Sequence, residues 1–250
     1  MREVTRICDV LLDIEGTTTP VDFVYGTLFP FARAHVEEFL SQHHRNDEVA
    51  AEVEALKRQR EADAEVLADF PPWREDSLTA RIASASAYVR WLMDHDRKVT
   101  AMKSIQGRIW EAGYRSGEIR GQVYPDVAPA FERWRRQGRK IVIFSSGSVL
   151  AQRLLFAHST AGDLTPQISA FFDTTIGPKQ EAESYRRIAA ALALSPSDVL
   201  FVSDVVAELN AACSAGMPTR LCVRGGAAAA GSQLTHQSHP SIHRFNEVFP

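Results

Sequence analysis

Hydrophobic and polar positions change their period along the chain. Residues 7–14 (ICDVLLDI) form a short apolar run before the turn-prone segment EGTTTP, and this pattern predicts a buried strand. Between residues 24 and 116 no comparable run occurs, and apolar side chains recur instead at helical spacing. Four helices are predicted there, over residues 28–42, 48–68, 78–94 and 100–112.

After Gly117 the pattern becomes an alternation of strands and helices. The predicted strands are 140–144 (KIVIF), 171–176, 199–203 (VLFVS) and 219–224 (TRLCVR), and the predicted helices are 127–137, 149–156, 181–194 and 206–215. Such alternation is typical of a parallel sheet with helices on both faces. We therefore expect an α/β fold: a doubly wound parallel-sheet core of residues 1–20 and 121–250, interrupted by an all-helical cap domain of residues 21–120. The small residues of 225–233 predict a loop.

Composition and charge narrow the classes of function. The 250 residues carry 28 Lys and Arg against 31 Asp and Glu, a net charge of −3, which argues against a nucleic-acid partner. No apolar run reaches the about 18–20 residues of a membrane helix, and the N-terminal segment lacks a signal-peptide pattern. The three cysteines show no CxxC spacing, which fits a reducing compartment. We expect a soluble cytoplasmic protein without membrane partners.

Three predicted strands end in a polar residue that can bind a ligand. Asp13 follows the first strand, Ser145 follows KIVIF and Asp204 follows VLFVS, while Lys179 lies in the loop IGPKQEAES. In an open parallel sheet the carboxyl ends of the strands form the ligand crevice. Two carboxylates with further oxygens suit Mg²⁺, and lysine, hydroxyl and loop N–H groups bind phosphate. A carboxylate aimed at phosphorus can act as a nucleophile, so the set indicates phosphoryl transfer.

Each of these residues also has an ordinary structural interpretation. Aspartates such as Asp13 often end strands simply because loops begin there. Ser145 is a candidate N-cap for the helix that starts near residue 149. Asp204 is a candidate N-cap for the helix that carries Glu208. A lone lysine such as Lys179 is usually solvated. The joint pattern, in this order and at these strand ends, favours the functional interpretation, and the side chains converge if the three strands are neighbours in the sheet.

The order of these motifs resembles that of the haloacid dehalogenase superfamily of phosphatases. The first motif of that superfamily is an Asp-x-Asp turn, matched here by DIEGT starting at Asp13; Ser145, Lys179 and Asp204 match the other three. This chain departs from the pattern at Glu15, which stands where the superfamily has a second Asp as general acid and base.

Longer segments resemble one family within that superfamily, the enolase-phosphatases of methionine salvage. The similar segments run from about residue 11 to 219 and include DIEGTTTP, QGRIWEAGYRSGEIRGQVYPDV, FSSGSVLAQRLLFAHS and VLFVSDVVAELNAACSAGM. After Cys222 the resemblance weakens, because the family tends toward Arg-Pro-Gly where this chain has Arg224-Gly225-Gly226.

The resemblance implies a role for each site residue. It makes Asp13 the nucleophile and a ligand of one Mg²⁺ per subunit, adds Asp204 and the backbone carbonyl of Glu15 as ligands, and assigns phosphate binding to Ser145, Ser146 and Lys179. Glu208, one helical turn after Asp204 on the same helix face, is either a support for the site or a surface carboxylate, and we prefer the second interpretation.

The resemblance also implies the reaction and the substrate, a small-molecule phosphate ester. The diketone 2,3-diketo-5-methylthio-1-phosphopentane is enolised, and the enol phosphate is then hydrolysed to an acireductone. Glu15 is our candidate for the enolisation base, because its carboxylate is one methylene longer than the usual Asp. The cap domain is expected to exclude water and recognise the methylthio end.

Other functions remain open at this stage. A phosphatase for another small ester would share the core but not the specificity. A dehalogenase would need Asp13 but no magnesium site, so Asp204 argues against it. A phosphate-binding module without activity would usually lack the nucleophile or the metal carboxylate, and both are present. We expect a monomer, since a capped site needs no partner subunit.

Overall fold

The computed structural model describes residues 7–64, 70–97, 99–225 and 239–250. The chain divides into two compact units, one formed by Met1–Phe23 with Arg120–Pro250 and the other by Val24–Ile119. The predicted loop over 225–233 lies outside the described residues except for Gly225, as does the end of the helix predicted over 48–68.

The first unit is built on a parallel six-stranded sheet. Its strands are β1 (Asp9–Leu12), β2 (Lys140–Phe144), β3 (Ile168–Phe172), β4 (Val199–Ser203), β5 (Thr219–Cys222) and β6 (Ser241–Ile242). They lie in the order β3-β2-β1-β4-β5-β6, and every neighbouring pair is parallel. The strand order changes direction at β1, where the crevice of a doubly wound sheet lies. The predicted α/β fold with a parallel sheet is confirmed.

Helices occur in both units. In chain order they are α1 (Val21–Phe23), α2 (Phe29–His43), α3 (Asp47–Ala64), α4 (Leu78–Asp94), α5 (Thr100–Ser116), α6 (Val127–Arg136), α7 (Val149–Ala157), α8 (Ala182–Ala191) and α9 (Val206–Ser214), with a π-helical turn at Val24–Leu28. None of these helices is long and apolar enough to span a membrane.

The sheet is buried because apolar side chains cover it. Leu11, Val142 and Phe201 form one cluster with the apolar sides of α8 and α9, including the fully buried Tyr185. Two other helices also pack against the sheet, α6 against β2 and α7 against β3. Strands covered in this way read as continuous apolar runs, which is why the sequence revealed β1, β2 and β4.

The second unit is a helical cluster built from α2 to α5. Its core is formed by side chains that recur at helical spacing, among them Val36, Leu40, Leu56, Tyr88 and Ile105. The helix predicted over 100–112 is α5, which continues to Ser116. A Cβ on Gly113 would overlap the ring of Phe31, so close packing explains a glycine inside this helix.

One predicted strand was misplaced. The strand predicted over 171–176 is β3, which ends at Phe172. Thr175 donates two hydrogen bonds to the carboxylate of Asp173, from its backbone N–H at 3.0 Å and from its hydroxyl at 2.5 Å. These bonds form a turn directly after β3. The two-residue strand β6 has too short an apolar run to be predicted.

Candidate active site

Asp13 lies directly after β1, at the centre of the carboxyl edge of the sheet. Its Oδ1 accepts hydrogen bonds from the backbone N–H of Ile14 at 2.8 Å and from Lys179 Nζ at 2.5 Å. Its Oδ2 accepts a hydrogen bond from the Ser203 hydroxyl at 3.0 Å. The side chain is buried, so its carboxylate is held in one orientation by three donors.

The turn after Asp13 is tightly wound around one carbonyl. The oxygen of Ile14 accepts the N–H groups of Thr17, Thr18 and Thr19 at 2.9–3.2 Å, and Thr18 Oγ1 donates to the carbonyl of Asp13 at 3.1 Å. Gly16 adopts φ +71°, and a Cβ there would overlap the Asp204 carboxylate. Glycine is required at this position, because it adopts a positive φ without strain and has no Cβ that would overlap Asp204.

Asp204 follows β4, the neighbour of β1. Its Oδ1 is buried and has no hydrogen-bond partner among the described residues. Burial, and after it the charge of Asp13, raise the pKa of Asp204 to about 6. The helix that follows has Val205 at its N-cap, so the interpretation of Asp204 as a helix cap is wrong. A buried carboxylate oxygen without a donor is the kind of group that a cation satisfies.

Lys179 is brought to the site from the loop before α8. Its ammonium group is 2.5 Å from Asp13 Oδ1 and 2.8 Å from Glu208 Oε2, and the side chain is only 9% exposed. Burial would lower its pKa, but the charges of Asp13 and Glu208 outweigh that effect and raise it. The Tyr185 hydroxyl donates to the carbonyl of Lys179 at 2.7 Å and fixes the loop. The interpretation of Lys179 as a solvated lysine is therefore wrong.

Ser145 follows β2, the other neighbour of β1. Its hydroxyl donates to Glu15 Oε2 at 3.3 Å and accepts the N–H of Gly147 at 3.1 Å. The cap of α7 is Ser148, whose hydroxyl accepts the N–H of Ala151, so the helix-cap interpretation of Ser145 is wrong. Ser146 is half-buried in the same loop.

Glu15 has its carboxylate beside the Ser145 hydroxyl. Its pKa is raised, first by burial and then by the charge of Asp13. The structure thus brings Asp13, Glu15, Ser145, Lys179 and Asp204 to one edge of the sheet, as the strand ends predicted.

The sequence analysis gave no role to the buried Ser203 and preferred a surface position for Glu208, which is also buried. Glu208, on α9, accepts hydrogen bonds from Lys179 at 2.8 Å and from the Ser203 hydroxyl at 3.1 Å. Burial and the charge of Asp13 raise its pKa to about 7, against the opposing effect of Lys179. The prediction that Glu208 is a surface carboxylate is wrong. Its spacing of four residues from Asp204, at the start of a helix, was the available signal.

No three His, Cys, Asp or Glu side chains are grouped as metal ligands within the described ranges. Two carboxylates, Asp13 and Asp204, flank the turn at Gly16. A cation here would complete its coordination with backbone, solvent or substrate oxygens, as Mg²⁺ commonly does.

Comparison with known proteins defines the class first. The family model of haloacid dehalogenase-like hydrolases matches residues 10–216. The structure is similar to the UTR4 protein of Saccharomyces cerevisiae, with a TM-score of 0.75, 29% identity and coverage of 96% of this chain and 98% of that one. CbbY from Rhodobacter sphaeroides shares the fold at 15% identity, with a TM-score of 0.56 over 97% of this chain and 96% of that chain. The fold is that of a haloacid dehalogenase-like hydrolase, and the chain belongs to this family.

Curated relatives define the family within that class. The chain is 51% identical to enolase-phosphatase E1 of Synechococcus elongatus over 97% of this chain and 98% of the relative. It is 46% identical to the enolase-phosphatase E1 of Sorangium cellulosum, over 96% and 97% of the two chains. It is 45% identical to that of Drosophila melanogaster, over 90% and 87%. The chain belongs to the enolase-phosphatase E1 family. The predicted family and the predicted hydrolase class are both confirmed.

Proposed function

We propose that this protein converts 2,3-diketo-5-methylthio-1-phosphopentane into the acireductone 1,2-dihydroxy-3-keto-5-methylthiopentene and inorganic phosphate, a reaction of methionine salvage. The observation that carries the proposal is the buried Asp13 carboxylate, held by Lys179 and Ser203 beside Asp204, in a chain about half identical to enolase-phosphatases. Nothing else in the site is as specific to phosphoryl transfer as this constellation.

The residues at the turn fit one Mg²⁺. The buried Asp204 Oδ1 has no donor among the described residues, and Gly16, which has no Cβ, lets the turn approach the Asp204 carboxylate closely. Asp13, Asp204 and the backbone carbonyl of Glu15 would hold the ion. When bound, it supplies positive charge that polarises oxygens of the substrate and offsets charge on the transferring phosphoryl group.

Enolisation is assigned to Glu15. Its carboxylate takes a proton from the carbon next to a carbonyl and returns it to the enolate oxygen, so the first step is an isomerisation without net change in protons. The raised pKa of Glu15, caused by burial and by Asp13, makes it a stronger base than an exposed glutamate. In the free protein Ser145 donates to this carboxylate at 3.3 Å, and binding of the phosphoryl group to Ser145 would release it.

Phosphate release is assigned to Asp13. One of its oxygens attacks phosphorus, the bond from phosphorus to the ester oxygen breaks, and the leaving oxygen takes up a proton. Water then attacks the phosphorus of the aspartyl-phosphate, which frees the Asp13 carboxylate and inorganic phosphate and replaces the proton consumed. Lys179, Ser145 and Ser146 bind the phosphoryl oxygens through both transfers.

The remaining expectations are part of the same proposal. The protein acts in the cytoplasm, in agreement with a reduced thiol at the exposed Cys213. It acts as a monomer on a small phosphate ester, because the residues assigned to both steps come from one chain.

A Mg²⁺-dependent assay with the diketone tests the proposal. Enediol absorbance and released phosphate are followed together, with Asp13→Asn and Glu15→Gln as variants. Both signals should depend on the metal, Asp13→Asn should abolish phosphate release, and Glu15→Gln should slow enolisation. Turnover of generic esters without turnover of the diketone would contradict the proposed substrate, and full enolisation by Glu15→Gln would contradict the assigned base.

A further inference from the structure

Ser203, the last residue of β4, places one hydroxyl between two carboxylates. Its Oγ lies 3.0 Å from Asp13 Oδ2 and 3.1 Å from Glu208 Oε2, and the residue is fully buried. The same oxygen accepts the backbone N–H of Val205 at 3.1 Å. A hydroxyl has a single proton, so Ser203 donates to Asp13 or to Glu208 but not to both at once.

Lys179 bridges the same two carboxylates. Its ammonium group lies 2.5 Å from Asp13 Oδ1 and 2.8 Å from Glu208 Oε2. Because an ammonium has three protons, Lys179 satisfies both carboxylates together. Of the two donors that link Asp13 and Glu208, Lys179 can donate to both carboxylates at once, whereas Ser203 can donate to only one at a time.

The charge on Asp13 decides that choice during the proposed reaction. An ionised carboxylate is a strong acceptor, and hydrogen bonds to it are about twice as strong as neutral ones. When Asp13 becomes an aspartyl-phosphate its carboxyl group loses that charge, whereas Glu208 faces Lys179 throughout. The better acceptor for the Ser203 proton then changes from Asp13 to Glu208.

We propose that Ser203 is a positioning residue for the nucleophile, whose hydroxyl donates to Asp13 Oδ2 before phosphoryl transfer and to Glu208 while Asp13 is phosphorylated. This inference rests on the proposed function. The hydroxyl keeps its proton throughout, and its rotation follows the loss and return of charge on Asp13. Ser203 thus supports phosphate release and has no part in the proton transfers of enolisation.

The test separates the two steps in Ser203→Ala. Without the hydroxyl the Asp13 carboxylate is held from one oxygen only, so the rate of phosphate release should fall by about 10- to 100-fold with KM nearly unchanged. Enolisation should keep its rate, so the enol phosphate should accumulate and be detectable by phosphorus NMR. Ser203→Thr retains the hydroxyl and should restore most of the phosphate release.

Matched variants distinguish positioning from a general loss of structure. Ser214→Ala, on the exposed end of α9, removes a hydroxyl that donates to the carbonyl of Asn210 and should leave both rates unchanged. Thermal unfolding of each variant reports its folding. Equal slowing of both steps, wild-type phosphate release by Ser203→Ala, or failure of Ser203→Thr to restore it would each overturn the inference.

The same comparison works without the diketone. With p-nitrophenyl phosphate, Ser203→Ala should release nitrophenol about 10- to 100-fold more slowly than the wild type, and Ser203→Thr should recover. Failure of the wild type on the diketone alone would count against the proposed substrate and would leave this result to decide the role of Ser203.

Discussion

The guanidinium of Arg224 donates two hydrogen bonds to the carbonyl oxygen of Thr17, from Nε at 3.0 Å and from Nη2 at 2.8 Å. Its Nη1 donates to both carboxylate oxygens of Asp126, at 2.9 and 2.7 Å, and its Cζ lies 4.4 Å from the ring centroid of Tyr124 and 4.5 Å from that of Phe245. Thr17 belongs to the turn that carries Glu15. Arg224 therefore connects the turn of the candidate active site to Asp126 and, through its contact with Phe245, to the last residues of the chain.

Replacing Arg224 by lysine should cost both stability and turnover. An ammonium cannot reproduce the planar fork that reaches Thr17 and Asp126 together, nor its contact with the aromatic rings. We expect the free energy of unfolding to fall by about 1–3 kcal/mol and kcat by about 10-fold. Urea unfolding and steady-state kinetics measure the two effects. The control is Arg186→Lys, which alters an exposed ion pair with Glu183 and should change neither quantity appreciably.

The tight approach of Gly16 to Asp204 makes a second substitution informative. In Gly16→Ala the new methyl group meets the Asp204 carboxylate and the backbone must hold φ +71°, so turnover should fall by at least about 100-fold. Gly138→Ala is a matched control, because Gly138 has φ +78° and no atom within 4 Å of a built Cβ. It should lose about 1 kcal/mol of stability and keep its kcat. Similar kcat values for the two variants would contradict the argument.

The strands and their polar ends could be predicted because they are local features. Buried parallel strands are apolar along their whole length, so the residues that end them, such as Asp13 and Asp204, stand out against the run. The alternation of strands and helices predicted a parallel sheet but not the order of its strands, so the neighbours of β1 are known only from the structure. The end of β3 could not be predicted, because the turn at Asp173 depends on side-chain hydrogen bonds to the backbone.

The contacts that complete the site are not local. Lys179 meets Asp13 across 166 residues and Arg224 meets Thr17 across 207, and no periodicity in the sequence encodes either distance. Ser203 looks like an ordinary strand end, and Glu208 like an ordinary helix carboxylate. Their roles depend on how β1, β4 and α9 come together in three dimensions.

For the stability of the protein, the hydrogen-bond acceptor that Glu208 supplies should matter more than its negative charge. Both variants remove the carboxylate, but Glu208→Gln keeps an oxygen that can accept hydrogen bonds from Lys179 and Ser203, whereas Glu208→Ala leaves these donors without any acceptor at that position. We expect the alanine variant to lose about 3–5 kcal/mol of stability and the glutamine variant clearly less. Thermal and urea unfolding give the comparison, with the exposed Glu183→Gln on α8 as a control. Equal losses in both Glu208 variants would contradict this account.

A buried carboxylate away from the active site should give a pH-dependent stability. Asp9, at the start of β1, is 2% exposed, and its Oδ2 has no hydrogen-bond partner among the described residues. Burial raises its pKa in the folded protein, against a smaller opposing effect of the charge and backbone N–H of Lys140. The ionised form is therefore disfavoured in the folded state, and the wild type loses stability as pH rises through the folded pKa of Asp9.

Asp9→Asn removes this ionisation and tests the sign of the effect. At pH 7 the variant should be more stable than the wild type, and the advantage should shrink as pH falls through the folded pKa toward the unfolded value near 4. Urea unfolding between about pH 3.5 and 8 measures the difference, with Glu132→Gln on the exposed side of α6 as a control that should stay near zero. An advantage that grows as the pH is lowered would show that the Asp9 carboxylate is stabilised, rather than penalised, by its burial beside Lys140.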